Sequence, residues 1–62
     1  MINVGDTVRV DFNGAQMTLA HRAEVLYKPL SEGDCWIFRN LDTEEIHYVS
    51  EKCTITKRNG QN

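Results

Sequence analysis

The chain of 62 residues is short of most features that would announce a function. It has two cysteines, Cys35 and Cys53, and one proline. Two thiols permit a single bridge, which is sparse for a disulfide scaffold. No signal-peptide pattern precedes the domain, so both are read as free thiols in a cytoplasmic protein. There is no C-x-x-C step, and His21 and His47 are scattered relative to the cysteines instead of arriving as paired ligands, so neither a metal nor another cofactor is expected. No apolar run approaches the roughly 18 residues that a membrane span needs, which excludes a membrane-spanning helix. Seven basic residues against nine acidic ones leave a formal charge of −2. Generic nucleic-acid affinity rests on a visible basic surplus, and that surplus is missing.

The groups that catalysis requires are equally thin. Asp42, Glu44 and Glu45 cluster in what reads as a solvated turn. Ser31 and Ser50 have no base nearby in any hairpin register, and no glycine-rich loop could cradle a phosphate. Convergent groups in tuned environments are not evident, and the expectation is that the chain is not an enzyme.

What is present is a series of short alternating runs separated by turn residues, the pattern of a small all-β domain over residues 1–58, with a disordered tail expected over 59–62. Gly5 and Asp6 form a turn that launches "TVRVDF", in which Val8, Val10 and Phe12 alternate with Arg9 and Asp11. Asn13-Gly14 supplies the chemistry of a tight reversal. "AQMTLAHR" reads as an irregular extended arm or a short helix, which Ala, Gln, Met and Leu tolerate, making a long first connection. "RAEVLYK" then sets Ala23, Val25 and Tyr27 against Glu24, Leu26 and Lys28. Gly33 turns the chain in "SEGD", and "CWIFR" and "EIHYVS" follow, joined by "NLDTE". Setting Arg39 opposite Glu45 aligns Phe38 with Ile46 and Trp36 with Tyr48, the register expected here. A single 3₁₀ turn at "SEKC" and a last strand "TITKR", with Ile55 inward and Thr54 and Thr56 outward, complete the pattern.

This order of elements resembles a five-stranded SH3-like β-barrel. The expected core is Val8, Val10, Ala23, Val25, Trp36, Phe38, Ile46, Tyr48 and Ile55. The third strand is apolar on both faces, and its leftover side, with Leu26, Ile37 and Val49 and with His47 and Cys35 beside them, forms an apolar stripe. Two readings compete for it: a lid made by Met17 and Leu19 of the arm, or an interaction surface. Were Trp36 to face outward instead, the stripe would gain an aromatic anchor.

"VGDTVRV" resembles the entry of KOW and Tudor-type barrels. "EVLYKP", "GDCWIFRN" and "IHYVS" together resemble small bacteriophage and prophage accessory proteins of unknown function. That resemblance implies a mobile-element origin and the cytoplasm of a bacterial host. The leading expectation is a non-catalytic protein-interaction module that binds a host protein or itself through Leu26, Ile37, His47, Val49 and Trp36. The alternative is a nucleic-acid-binding barrel using Arg9, Arg22, Arg39, Lys57 and Arg58. A third reading, an oligomeric pore enzyme like the type II dihydrofolate reductases, would use Glu45-Ile46-His47-Tyr48, where only the tyrosine lines up with that family's pore stretch.

Overall fold

The computed structural model describes residues 1–12, 17–50 and 52–58. Five antiparallel strands form one sheet: β1 (Thr7–Phe12), β2 (Met17–Tyr27), β3 (Trp36–Asn40), β4 (Ile46–Val49) and β5 (Cys53–Lys57), in the order β4-β3-β2-β1-β5. Two glycine turns frame the sheet. Gly5 (φ 98°) lies in the turn whose Asp6 N–H donates to the Asn3 carbonyl at 3.0 Å, and Gly33 (φ 90°) lies in the turn closed by Asp34 N–H and the Ser31 carbonyl at 3.1 Å. Both backbones sit in the left-handed region that glycine enters without steric cost.

β2 is the organising element. Its first part, from Met17 to Glu24, pairs with β1, and its second, from Ala23 to Tyr27, pairs with β3. Register shifts interrupt it between the partners of Val8 and Val10, again between those of Val10 and Asp11, and once more between Val25 and Tyr27. Bulges of this kind bend a strand and increase its twist. Inward side chains from every strand therefore meet in one cluster: Val8, Val10, Ala20, Ala23, Val25, Phe38 and Val49 are buried, and Ile2, Phe12, Leu19, Trp36, Cys53 and Ile55 pack against them. Phe38 is fully buried, a burial that contributes roughly 1.5–3 kcal/mol. Trp36 stacks on it, with ring centroids 5.7 Å apart and planes 8° from parallel.

Three expectations are corrected. The arm is extended and irregular, as expected, but it belongs to the sheet: β2 begins at Met17, so only residues 13–16 separate it from β1, and the long first connection does not exist. Met17 pairs with Phe12 of β1 and Leu19, at a register shift in β2, packs against the core, so they form no lid. The β3–β4 register is shifted by one residue, with Trp36 opposite Val49, Ile37 opposite Tyr48, Phe38 opposite His47 and Arg39 opposite Ile46. Val49 and His47 thus face inward, while Ile46 and Tyr48 leave the expected core. The Asn13-Gly14 reversal and the 59–62 tail lie outside the described residues, as does Glu51 in the middle of the expected 3₁₀ turn.

The cause of the shift is local. Asn40, buried among otherwise apolar groups, accepts hydrogen bonds through Oδ1 from the N–H groups of Asp42 (2.8 Å) and Thr43 (3.2 Å). This side-chain cap shapes the loop. Glu44 then takes a left-handed conformation (φ 69°), its N–H donating to the Asn40 carbonyl at 2.7 Å, and Asn40 N–H donates to Glu45 at 2.8 Å. Asn40, not Arg39, therefore faces Glu45.

Candidate interaction surface

With β4 shifted, the outer face of β2, β3 and β4 carries a different set of side chains. The register aligns Tyr27, Ile37 and Tyr48 in a row across the three strands, and Glu24, Arg39 and Ile46 in the next row. Tyr48 is 71% exposed and Ile46 45%. The bulge at Leu26 brings Tyr27 onto this face, although a period-two reading puts it inside with Val25.

The face is held by polar contacts at both ends. Arg39 donates from Nη2 to Glu24 Oε1 at 2.7 Å and from Nη1 to Glu44 Oε1 at 3.2 Å. The hydrogen bond to Glu24, followed by the charges of Glu24 and Glu44, raises the guanidinium pKa. At the other end, Asp34 Oδ2 accepts from Tyr27 Oη (2.8 Å) and from Leu30 N–H (3.2 Å), while Oδ1 accepts from Cys35 N–H (2.9 Å). These three donors lower the Asp34 pKa, and the same bond raises that of Tyr27. The loop from Lys28 to Cys35 is tied down by this carboxylate, with Leu30 largely exposed on it.

The five residues expected to bind a partner are split. Ile37 lies on the outer face, and Leu26 is exposed at the bulge. Val49, only 5% exposed, belongs to the core, Trp36 stacks inward on Phe38, and His47 faces inward opposite Phe38. Tyr27, Ile46 and Tyr48 take their place. The signal for this was Asn40, whose side-chain cap sets the hairpin one residue off the charge-paired register.

The five expected nucleic-acid contacts are all engaged within the chain. Arg9 pairs with Asp11 at 3.2 Å, Arg22 with Asp42 at 3.3 Å, Arg39 with Glu24 and Glu44, and Lys57 with Asp6 at 3.5 Å. Arg58 donates to the His21 carbonyl at 3.2 Å. They are spread over the sheet and its loops and do not converge. The carboxylate Asp11 also accepts from Thr18 Oγ1 at 2.7 Å, the main cause of its lowered pKa.

Among the described residues, no group of three or more His, Cys, Asp or Glu side chains is arranged to hold a metal ion, and no helix is long and apolar enough to cross a membrane. Cys35 and Cys53 are free thiols, and burial pushes the Cys53 pKa up, which lowers its thiolate fraction. No family model, curated protein or solved structure matches the chain.

Proposed function

We propose that the chain is a non-catalytic protein-interaction module, an SH3-like small barrel whose contact surface is the outer face of β2–β4. One observation carries this reading: Tyr27, Ile37, Tyr48 and Ile46 share that face, and β2, which runs as a strand from Met17, supplies no lid over it. Exposed apolar groups rimmed by ion pairs, here Glu24–Arg39–Glu44, mark contact surfaces on small domains. Tyrosine is among the residue types that dominate binding energy at such surfaces. The five antiparallel strands and the register shifts that bend β2 support the barrel assignment, since bulges increase the twist and curl of a sheet. A phage-encoded accessory role in a bacterial cytoplasm stays part of the reading on the sequence resemblance alone.

The nucleic-acid reading is the weaker one, because Arg9, Arg22, Arg39 and Lys57 each have a carboxylate partner that a phosphate would have to displace. Immobilised wild-type chain and its Ile37→Asp variant test the proposal. The wild type is expected to retain a protein, or a second copy of itself, that the variant loses while keeping its circular dichroism. Identical recovery with the fold intact would count against the surface. Salt-dependent binding of oligonucleotides would transfer the proposal to the alternative.

A further inference from the structure

We propose that β4, the edge strand of this surface, pairs antiparallel with β4 of a second copy of the chain about a two-fold axis at His47. The inference rests on the outer face being a contact surface and extends that face across the β4 edge.

Among the described residues the strand order leaves two edges, β4 and β5. Hydrogen bonding alternates along an antiparallel ladder. Asn40 N–H donates to Glu45, so the pairs 38/47 and 36/49 are the hydrogen-bonded ones, and the backbone groups of Ile46 and Tyr48 point to the free edge. At the other edge, Arg58 N–H donates to Thr7, so Cys53, Ile55 and Lys57 point their backbone groups outward.

Three pairings between copies are conceivable, and the pleat distinguishes them. Directly opposed residues in an antiparallel ladder put their side chains on the same face. Pairing β4 with β5 of another copy sets Ile46 and Tyr48, which face out, beside Cys53 and Ile55, which pack against the core. The two cores would then lie on opposite sides of the joined sheet. Pairing β5 with β5 about Ile55 keeps the faces consistent but sets Lys52 opposite Arg58, like charge against like, at both ends.

Pairing β4 with β4 about His47 sets Ile46 opposite Tyr48 twice, with both outer faces continuous. It also meets a hydrogen-bonding requirement. Among the described residues His47 Nε2 is buried with no hydrogen-bond partner, and its own Glu45 Oε1 is 3.7 Å away, beyond hydrogen-bond reach. In this register Glu45 of the other copy lies diagonal to His47, within reach of a long side chain. The seam also lacks the usual protection, since Ile46–Val49 contains no lysine, proline or bulge.

Sedimentation equilibrium of the full chain from about 5 to about 500 µM tests the inference, a range matched to the weak association expected of a short edge. The wild type should show a concentration-dependent dimer. Ile46→Lys and Tyr48→Lys should each weaken it by about tenfold or more with unchanged circular dichroism, because both side chains are already exposed. Thr56→Lys on β5 should leave it unchanged. In a Cys35→Ser, Cys53→Ser background, an Ile46→Cys chain mixed with a Tyr48→Cys chain should form a mixed disulfide faster than either forms one alone. A wild type monomeric throughout, or a dimer indifferent to both lysine variants, overturns the inference. If the monomer still captures another protein that Ile37→Asp loses, the interaction surface stands and only the pairing across its β4 edge is wrong.

Discussion

The two edges of the sheet are finished in opposite ways. β5 shows solvent Thr54, Thr56 and Lys57, with Lys57 held to Asp6 and Arg58 bonded to the His21 carbonyl. β4 shows solvent Ile46 and Tyr48, and its inward residues are His47 and Val49. Cationic and hydroxyl side chains on an edge discourage pairing with another chain, whereas a bare apolar edge invites it. A sheet with two ends and one core thus carries a polar, ion-paired end and an apolar one. The difference arises from a single residue of register: with Arg39 opposite Glu45, β4 would bury Ile46 and Tyr48 and turn His47 and Val49 outward.

The strongest way to break the comparison is through the core beneath β3 and β4. Phe38→Ala should cost about 3–5 kcal/mol, which rivals the whole stability of so small a domain. Ile55→Ala beneath β5 removes a side chain that is only half-buried, and should cost about half as much. Urea denaturation of both variants measures the difference. Equal losses would mean that the two halves share one core evenly.

Asn40→Ala addresses the register itself. It leaves the N–H groups of Asp42 and Thr43 without their side-chain acceptor, at a cost of about 1–2 kcal/mol. Part of the population should also move to the shifted pairing, visible as protection of Tyr48 from iodide quenching of its fluorescence in a Trp36→Phe background. Glu44→Gly works in the opposite direction. A glycine takes the left-handed conformation of that position freely, and the ion pair it gives up with Arg39 is exposed and worth little. A gain of up to about 1 kcal/mol is expected in the same urea titration.

The sequence speaks clearly where period-two alternation runs unbroken. Val8 and Val10 inside and Arg9 outside follow from it, and the turn residues Gly5 and Gly33 mark where it stops. It misleads wherever one extra residue enters a strand. The irregularity in β2 around His21 and Arg22 turns Ala20 inward, and the bulge at Leu26 moves Tyr27 outward. A bulge costs the chain one residue of phase yet leaves composition untouched, so alternation alone cannot reveal it. Asn40 is different in kind. Its capping chemistry is local, and the Arg39–Glu45 charge pairing points to the other register, while the folded chain satisfies Arg39 with Glu24 and Glu44 instead.

The smallest effects separate the edges by acid. Each end of the sheet has a carboxylate whose pKa is lowered. Asp34, beside β3, owes this to hydrogen bonds from Tyr27, Cys35 and Leu30. Asp6, beside β5, owes it first to the Asn3 N–H and then to Lys57. A carboxylate with a depressed folded pKa stabilises fully above its unfolded value, near 4, and loses that contribution as pH falls through the folded pKa. Tyr27 has the opposite sign: its raised pKa means a contribution that is present below about pH 10 and is lost as pH climbs through the folded value. Asp34→Asn and Tyr27→Phe should therefore each flatten part of both limbs of a stability–pH curve, the acid limb more in Asp34→Asn. Added salt should soften only the Asp6 share, because the Lys57 attraction is screened and hydrogen bonds to neutral donors are not. Melting temperatures of wild type and the two variants between about pH 2 and 11, at low and high salt, measure this. An Asp34→Asn curve parallel to wild type would mean that this carboxylate does not hold the loop beside the outer face, and the contact surface would lose its fixed flank.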